Sequence, residues 1–407
     1  MKRKLLIGVI CLFSIIFILL TYYCYIQYQQ NKDIIVSTVE LVDSTTIYKM
    51  DELLGRLSFL SDEDLRKIRR LDMSFYGDHP RGTKGYDAFP PIVSQLTNLE
   101  YLDLSWNEIS DLTPIQHLRH LKTIIMSNNH VTNFEGFKNF TDLENLNING
   151  NQLSDLKGIE VLQNLQSLNL LWNQNLSDLK GIEKLIKLED LTIGKNNFEL
   201  FPMEILQLKN LKRLSMTDLY FKSFPDSLYD LPIEILEMKD MHDFDYSANL
   251  PKFHKLKKLR ELYLLWDNIS TLSIDFAKCE NLEIFSYRYY KKENIADLKY
   301  YTEKQKPPTK YYPHFDITDV LTRIAKTPKL KKLFLELNNI QYLPKNLVLS
   351  DSLEVLDLYN NHIKTLPVKI TKYTNLREVY LKSNPIDTVA IKKIEKEMVN
   401  TKFYYDK

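Results

Sequence analysis

Asparagine recurs at Asn107, Asn129, Asn151, Asn173 and Asn196, and again at Asn338, Asn361 and Asn384, at near-constant intervals within each run. An alternating apolar set precedes each one, as in Leu99-Leu102-Leu104, Leu143-Leu146-Ile148, Leu165-Leu168-Leu170 and Leu353-Leu356-Leu358. The heptapeptide SDLKGIE occurs twice unchanged, at 154–160 and 177–183. A period this regular fixes the architecture before any composition is considered. Each alternating run is a short strand with its leucines on one face. One strand per repeat, stacked on the next, builds a parallel sheet along the inner face of a solenoid. The aligned asparagines can bond backbone groups of adjacent turns where the chain leaves the strand, which regular pairing leaves open.

The pattern L-x-x-L-x-L-x-x-N-x-[ILVF], about twelve times from Leu99 onward, resembles the leucine-rich repeat. The resemblance implies an α/β solenoid, a leucine-rich-repeat horseshoe with a parallel concave β-sheet. At ~4.8 Å per strand, twelve repeats give a sheet edge on the order of 50 Å. The outer segments SDLTPIQHL, TNFEGFKNF, SDLKGIEVL and SDLKGIEKL are similar to the shorter repeat class of internalins. Later ones, such as FELFPMEILQL and IQYLPKNL, resemble a slightly longer class with a Leu/Phe-Pro step.

The middle departs from the pattern. Leu219, Met241, Asp267 and Tyr290 stand where asparagine should, and the repeat opening at Ile233 is longer than its neighbours. The interval from Leu282 to Leu330 is about twice the period, which places an insertion near 291–329. The expected organisation is a membrane segment over 1–31, a helical N-terminal cap over 32–98, repeats over 99–387, and a capping helix and tail over 388–407. The cap rests on helical spacing in TTIYKMDELLGRLSFL and on a Ser61…Asp64 capping-box pattern before DLRKIRRL.

The segment 1–31 is a different material. MKRK is followed by a run without a formal charge from Leu5 to Asn31. Tyr22, Tyr23 and Tyr25 occupy the zone where a signal peptidase needs small residues, so residues 5–28 are expected to remain as an uncleaved anchor; secretion after cleavage is the alternative. Lys2, Arg3 and Lys4 imply a cytoplasmic N-terminus, with the solenoid outside the cytoplasm in the cell envelope.

Catalytic, metal and cofactor signatures do not assemble. The stretch GDHPRGTKG (77–85) has phosphate-loop glycine spacing, but its Thr83-Lys84 order is reversed and YDAFPP follows where a helix must start. His117 and His120 lack a carboxylate companion motif, and Cys279 stands alone outside the N-terminal segment. Carboxylates at Asp103, Asp190, Glu237, Glu261, Glu336, Asp357 and Glu378 spread along the whole concave face, unlike a convergent catalytic pair. The expectation is no enzyme, no cofactor and no metal. A net charge of +1 gives no global pull toward nucleic acid, which is not the expected partner.

Alternation does place residues on the concave face. Repeats two and three offer a polar stripe of Thr123, Ser127, Asn128, Asn145, Asn147 and Asn149. The later repeats offer aromatics interleaved with arginine, the composition of protein-binding hot spots. The candidate partner-binding residues are Trp106, Trp172, Tyr263, Trp266, Arg288, Tyr289, Phe334, Tyr359 and Tyr380. The insertion 288–314 adds three Tyr-Tyr pairs and, from Arg288 to Tyr312, a local charge of +4. All three tryptophans share one slot, immediately before the asparagine position, which other repeats fill with Ser, Asn, Gly, Lys, Asp or Tyr. The resemblance implies protein recognition through the concave face, and residues 5–28 are expected to anchor that module to a membrane; a scaffold in the cell envelope without a dedicated ligand pocket is the alternative.

Overall fold

A computed structural model describes residues 47–56, 60–75, 85–267, 269, 271–289 and 317–406. The chain divides into two units, Met1–Thr46 and Ile47–Lys407, and the described residues lie in the second. Fifteen strands follow in chain order: β1 (Tyr48–Lys49), β2 (Arg70–Asp72), β3 (Tyr101–Asp103), β4 (Thr123–Ile125), β5 (Asn145–Asn147), β6 (Ser167–Asn169), β7 (Asp190–Gly194), β8 (Arg213–Thr217), β9 (Ile235–Lys239), β10 (Glu261–Asp267), β11 (Ile284–Tyr289), β12 (Lys332–Phe334), β13 (Val355–Asp357), β14 (Glu378–Tyr380) and β15 (Lys402–Tyr404). They form one sheet in which each strand pairs with the next in the chain, parallel throughout.

The register follows the leucines. Leu102, Ile124, Leu146, Leu168, Leu191, Leu214 and Leu236 pair in one continuous row that runs on through Leu262, Phe285, Leu333, Leu356 and Val379. Every member of that row is at most 2% exposed. Burying one such side chain is worth roughly 1.5–3 kcal/mol, so a repeat is stable only against its neighbours. Single-turn 3-10 helices, such as Ile159–Val161 and Ile182–Lys184, close the far side of the core.

The region ahead of Leu99 differs from a purely helical cap. It holds α1 (Met50–Arg56) and α2 (Asp62–Lys67), the latter with the Ser61–Asp64 capping box closed, but it also contributes β1 and β2 to the sheet. Ile68, Leu71 and Met73 are buried in the repeat pattern, so the stack opens before the first full consensus. The strand in RRLDMS gives no signal of its own, because its asparagine position is Tyr76 and the interval from Leu71 to Leu102 exceeds the period.

The asparagine position explains a change in strand length. Strands β3 to β6 have three residues, whereas β7 to β11 have five to seven. Leu219 and Met241, which occupy the position there, are buried and carry no carboxamide to bridge adjacent turns. The strands instead run two residues further toward it, Ile193 pairing with Met216 and Met216 with Met238, and Gly194 with Thr217 and Thr217 with Lys239. Beside them a phenylalanine cluster fills the wider core, with Phe221, Phe224 and Phe244 in mutual ring contact and Phe253 against Phe224. The long repeat from Ile233 takes up its extra length in a short helix, α3 (Tyr246–Asn249).

The helical flank of the insertion is α4 (Ile317–Ile324), while 290–316 lies outside the described residues. At the C-terminal end, α5 (Thr388–Glu397) is followed by β15, so part of the expected tail is a further strand. The expected membrane segment, 1–31, also lies outside the described residues; among those described, no helix is long and apolar enough to cross a membrane.

Candidate recognition surface

The asparagines form a buried ladder. Asn129 Nδ2 donates to Leu104 O at 2.8 Å, and its Oδ1 accepts from Ile109 N at 3.0 Å. Asn151 repeats this with Met126 O and Val131 N, and Asn173 with Ile148 O and Leu153 N. Asn107, the first rung, accepts instead from Tyr86 N. Asn196 turns its Oδ1 to Gly194 N, at the boundary with the long strands. Asn338, Asn361 and Asn384 resume the pattern, donating to Tyr287 O, Leu335 O and Leu358 O.

The slot before each asparagine has a left-handed backbone. Trp106, Asn128, Gly150, Trp172, Lys195, Asp218, Asp240, Trp266, Leu337, Asn360 and Ser383 all have φ between 48° and 69°. Only this conformation turns the chain out of the strand and delivers the asparagine to the neighbouring turn. Glycine, asparagine and aspartate tolerate it; a bulky residue there costs on the order of 1–2 kcal/mol. Trp106 and Trp172 are nevertheless placed there, 50% and 41% exposed. Sequence periodicity locates the slot but carries no sign of φ.

In the middle repeats the slot residues enter a set of charged and aromatic contacts. Lys195 Nζ lies 4.0 Å from the Trp172 ring centre and 3.2 Å from an Asp218 carboxylate oxygen. His242 Nε2 lies 2.9 Å from the other oxygen of Asp218, and its ring is 5.0 Å from that of Tyr220. Lys239 Nζ, one residue before Asp240, lies 4.6 Å from the Trp266 ring centre. Trp172 and Trp266, four repeats apart, each carry a lysine over the indole, with the Lys195–Asp218–His242 group between them in the chain. Burial raises the Asp218 carboxyl, but His242 and Lys195 outweigh it and hold it below the usual range. Asp240 is pushed up to about 6, chiefly by burial. Burial with the Asp218 charge lifts the Tyr220 phenol to about 12. None of Lys195, Asp218, Lys239, Asp240, His242 and Tyr220 stands among the sequence candidates. Their identities are readable in and beside the slot, but not their contacts.

The open face of the sheet falls into two halves. In the later repeats Tyr359 is 42% exposed, whereas Tyr263, Trp266, Arg288, Phe334 and Tyr380 are half-buried. The rings of Tyr380 and Tyr404 stack at 4.5 Å and 9°. Arg288 is held by Glu336 in a short ion pair. Tyr289 ends β11, and its side chain lies outside the described residues. The polar stripe occupies β4 and β5, away from these aromatics.

The concave carboxylates are all engaged. Arg213 pairs with Glu237 at 2.8 Å and Asp190 at 3.7 Å. Glu261 and Glu378 accept from the hydroxyls of Tyr263 and Tyr380, Asp103 accepts from Ser105, and Asp357 accepts from Tyr359 N. Cys279 is buried, and burial followed by the Asp275 charge lifts its thiol to about 12. His117 and His120 are exposed. Among the described residues no group of three or more His, Cys, Asp or Glu is placed to hold a metal ion.

A parallel sheet of one strand per repeat, edged by a left-handed slot and an asparagine ladder, defines a repeat solenoid. Residues 97–139, 119–161 and 351–393 match the family model described as leucine-rich repeats in two copies. The chain is a leucine-rich-repeat protein, internalin-like in its fold. An internalin from Listeria monocytogenes is 23% identical, covering 86% of this chain and 89% of that one, with a TM-score of 0.52. A leucine-rich-repeat protein of Leptospira interrogans is 22% identical, covering 88% and 99%, with a TM-score of 0.47. A chain of the Drosophila Toll–Spatzle complex is 16% identical, covering 85% of this chain and 45% of that one, with a TM-score of 0.51. No curated protein matches the sequence.

Proposed function

We propose that the protein is a non-enzymatic recognition module that binds a protein partner through the open face of its later repeats, anchored to a membrane by residues 5–28 with the solenoid outside the cytoplasm. The observation that carries the binding part is the exposed Tyr359 beside the stacked Tyr380–Tyr404 pair and the Arg288–Glu336 ion pair. These are large, rigid side chains on a fixed sheet, the composition that concentrates binding energy at interfaces. The Toll–Spatzle chain, which shares the fold, was solved in a complex. The anchor rests on the uncharged run after MKRK.

The test places a photo-crosslinking side chain at Tyr359 of the full-length protein in cells, and in parallel at Val368, which is 71% exposed on an outer 3-10 segment. A discrete protein adduct from position 359, lost when Phe334 and Tyr380 become alanine, is the expected result. Equal adducts from both positions would remove the concave face as the site and favour the scaffold reading. Digestion of the solenoid by protease added outside intact cells checks the topology. Cleavage of the solenoid only after inner-membrane lysis would place it in the cytoplasm.

A further inference from the structure

We propose that the open face of β4 to β6 is a binding site for an uncharged oligosaccharide chain, held between Trp106 and Trp172. The side chains on that face of the three strands are Thr123, Ile125, Asn145, Asn147, Ser167 and Asn169, with Ser127, Asn149 and Leu171 just beyond. None is charged. Every other described strand has at least one charged side chain, from Arg70 and Asp72 in β2 to Lys402 in β15. Charge returns on this stretch only at the opposite strand ends, where Lys122 is held by Glu100 at 3.0 Å. In a chain with 26% charged residues, a neutral floor three strands wide excludes ionic recognition and matches a ligand without charge.

The floor is nonetheless rich in hydrogen-bonding groups. Asn147 and Asn169 accept backbone N–H groups two residues on, from Asn149 and Leu171, which fixes their carboxamides and leaves each amide nitrogen as a donor. Asn149 Oδ1 has no hydrogen-bond partner although it is buried, a cost that a donor from a ligand can remove after side-chain rotation. Carboxamides present donor and acceptor side by side, which suits adjacent hydroxyls of a sugar ring. Ile125 and Leu171 alone give too little apolar area for the desolvated centre that a protein partner needs.

The two exposed tryptophans bound this floor. They occupy the left-handed slot of the β3 repeat, just before the floor, and of its last repeat, three repeats and about 14 Å apart. Asn128 and Gly150 fill the same slot between them with residues suited to it, so the backbone does not call for an indole. Strained placement of a bulky residue is the mark of a functional position. Lys195 covers one face of Trp172 and fixes the ring, and the C–H face of a sugar can stack on the exposed remainder.

The test uses the full-length chain, titrated with cellohexaose, maltohexaose and N-acetylchitohexaose and read by tryptophan fluorescence and calorimetry. The variants are Trp106→Asn, Trp172→Asn and Trp266→Asn; asparagine keeps the left-handed slot, as Asn128 does, and circular dichroism verifies the fold. At least one hexasaccharide is expected to bind saturably, about tenfold weaker in each of the first two variants and unchanged in the third. The absence of saturable binding by all three sugars up to about 10 mM would overturn the proposal. Binding that survives Trp106→Asn and Trp172→Asn would overturn it too. So would tryptophan-dependent binding of an uncharged Ser/Thr/Gly peptide in place of the sugars, which would assign the floor to polypeptide. The Tyr359 crosslink of the preceding section reads a different half of the sheet, so either result stands without the other.

Discussion

The ammonium of Lys195 lies 4.0 Å from the centre of the Trp172 indole, one repeat away, and both residues have a left-handed backbone. With the Lys195 side chain 12% exposed, the cation–π contact lies toward the desolvated end of its range, about 1–2 kcal/mol. That gain roughly offsets the backbone cost of an indole at φ 59°. Trp172→Gly removes both, so its urea midpoint should stay close to that of the parent. Trp172→Val keeps the cost and loses the contact, and should be less stable than the glycine variant by about 1–2 kcal/mol. Equal midpoints for glycine and valine would show that the slot carries no strain.

Asn173 is fully buried, donates to Ile148 O and Leu170 O, and accepts from Leu153 N. Asn173→Ala leaves buried peptide groups unmatched and should cost about 2–4 kcal/mol. Hydrogen exchange is the sharper measurement, because a solenoid can open locally. The Leu153 amide should exchange faster while amides near Leu376 stay protected. The reverse substitution, Leu219→Asn, should also destabilise, since the longer strands there already pair their backbone groups and a buried carboxamide would lack partners.

Leu102, Asn129 and Trp172 illustrate what the sequence makes legible. A regular repeat period fixes strand, register and the face on which each side chain lies, because stacking repeats must superimpose their cores. Leu71 shows where that legibility ends: with no asparagine and a long interval to Leu102, its strand belongs to the sheet without announcing itself. The candidate surface is readable as positions but not as contacts. Lys195, Asp218 and His242 come together from three repeats, and no spacing rule states that a lysine will turn onto one neighbour's indole and the other's carboxylate. The lengthening of β7 to β11 is likewise hidden, because Leu219 and Met241 signal it only by lacking a carboxamide.

Cys279 offers a direct check on the packing of the repeat before the insertion. Its thiol is buried, lies 3.6 Å from Asp275 O, and is lifted to about 12, chiefly by burial. The thiolate is the nucleophile, so at pH 8 the native residue should resist maleimide over hours and react within minutes in urea. Peptide mapping separates it from Cys11 and Cys24. Rapid native labelling at position 279 would show that this repeat opens readily.

Asp218 and Asp240 should respond to pH in opposite senses. Asp240 is pushed up to about 6 chiefly by burial, with Lys239, His242, Asp218 and Lys195 facing it. Its raised value means that ionisation opposes folding. The cost is absent below about pH 4, grows between about 4 and 6, and stays in full above, by the linkage between protonation and stability. Asp218 is held low by His242 and Lys195 against its burial, so its stabilisation is present above the ordinary carboxylate range and lost as pH falls through the lowered value. Asp240→Asn should therefore raise the urea midpoint at pH 7.5, by about 1 kcal/mol once solvent screening at this half-buried site is allowed for, and change it little at pH 4. Asp218→Asn should lower the midpoint at pH 7.5, because Lys195 then loses its counter-charge inside the rim. An Asp240→Asn gain of equal size at both pH values would mean that its burial, and not its charge, sets the effect.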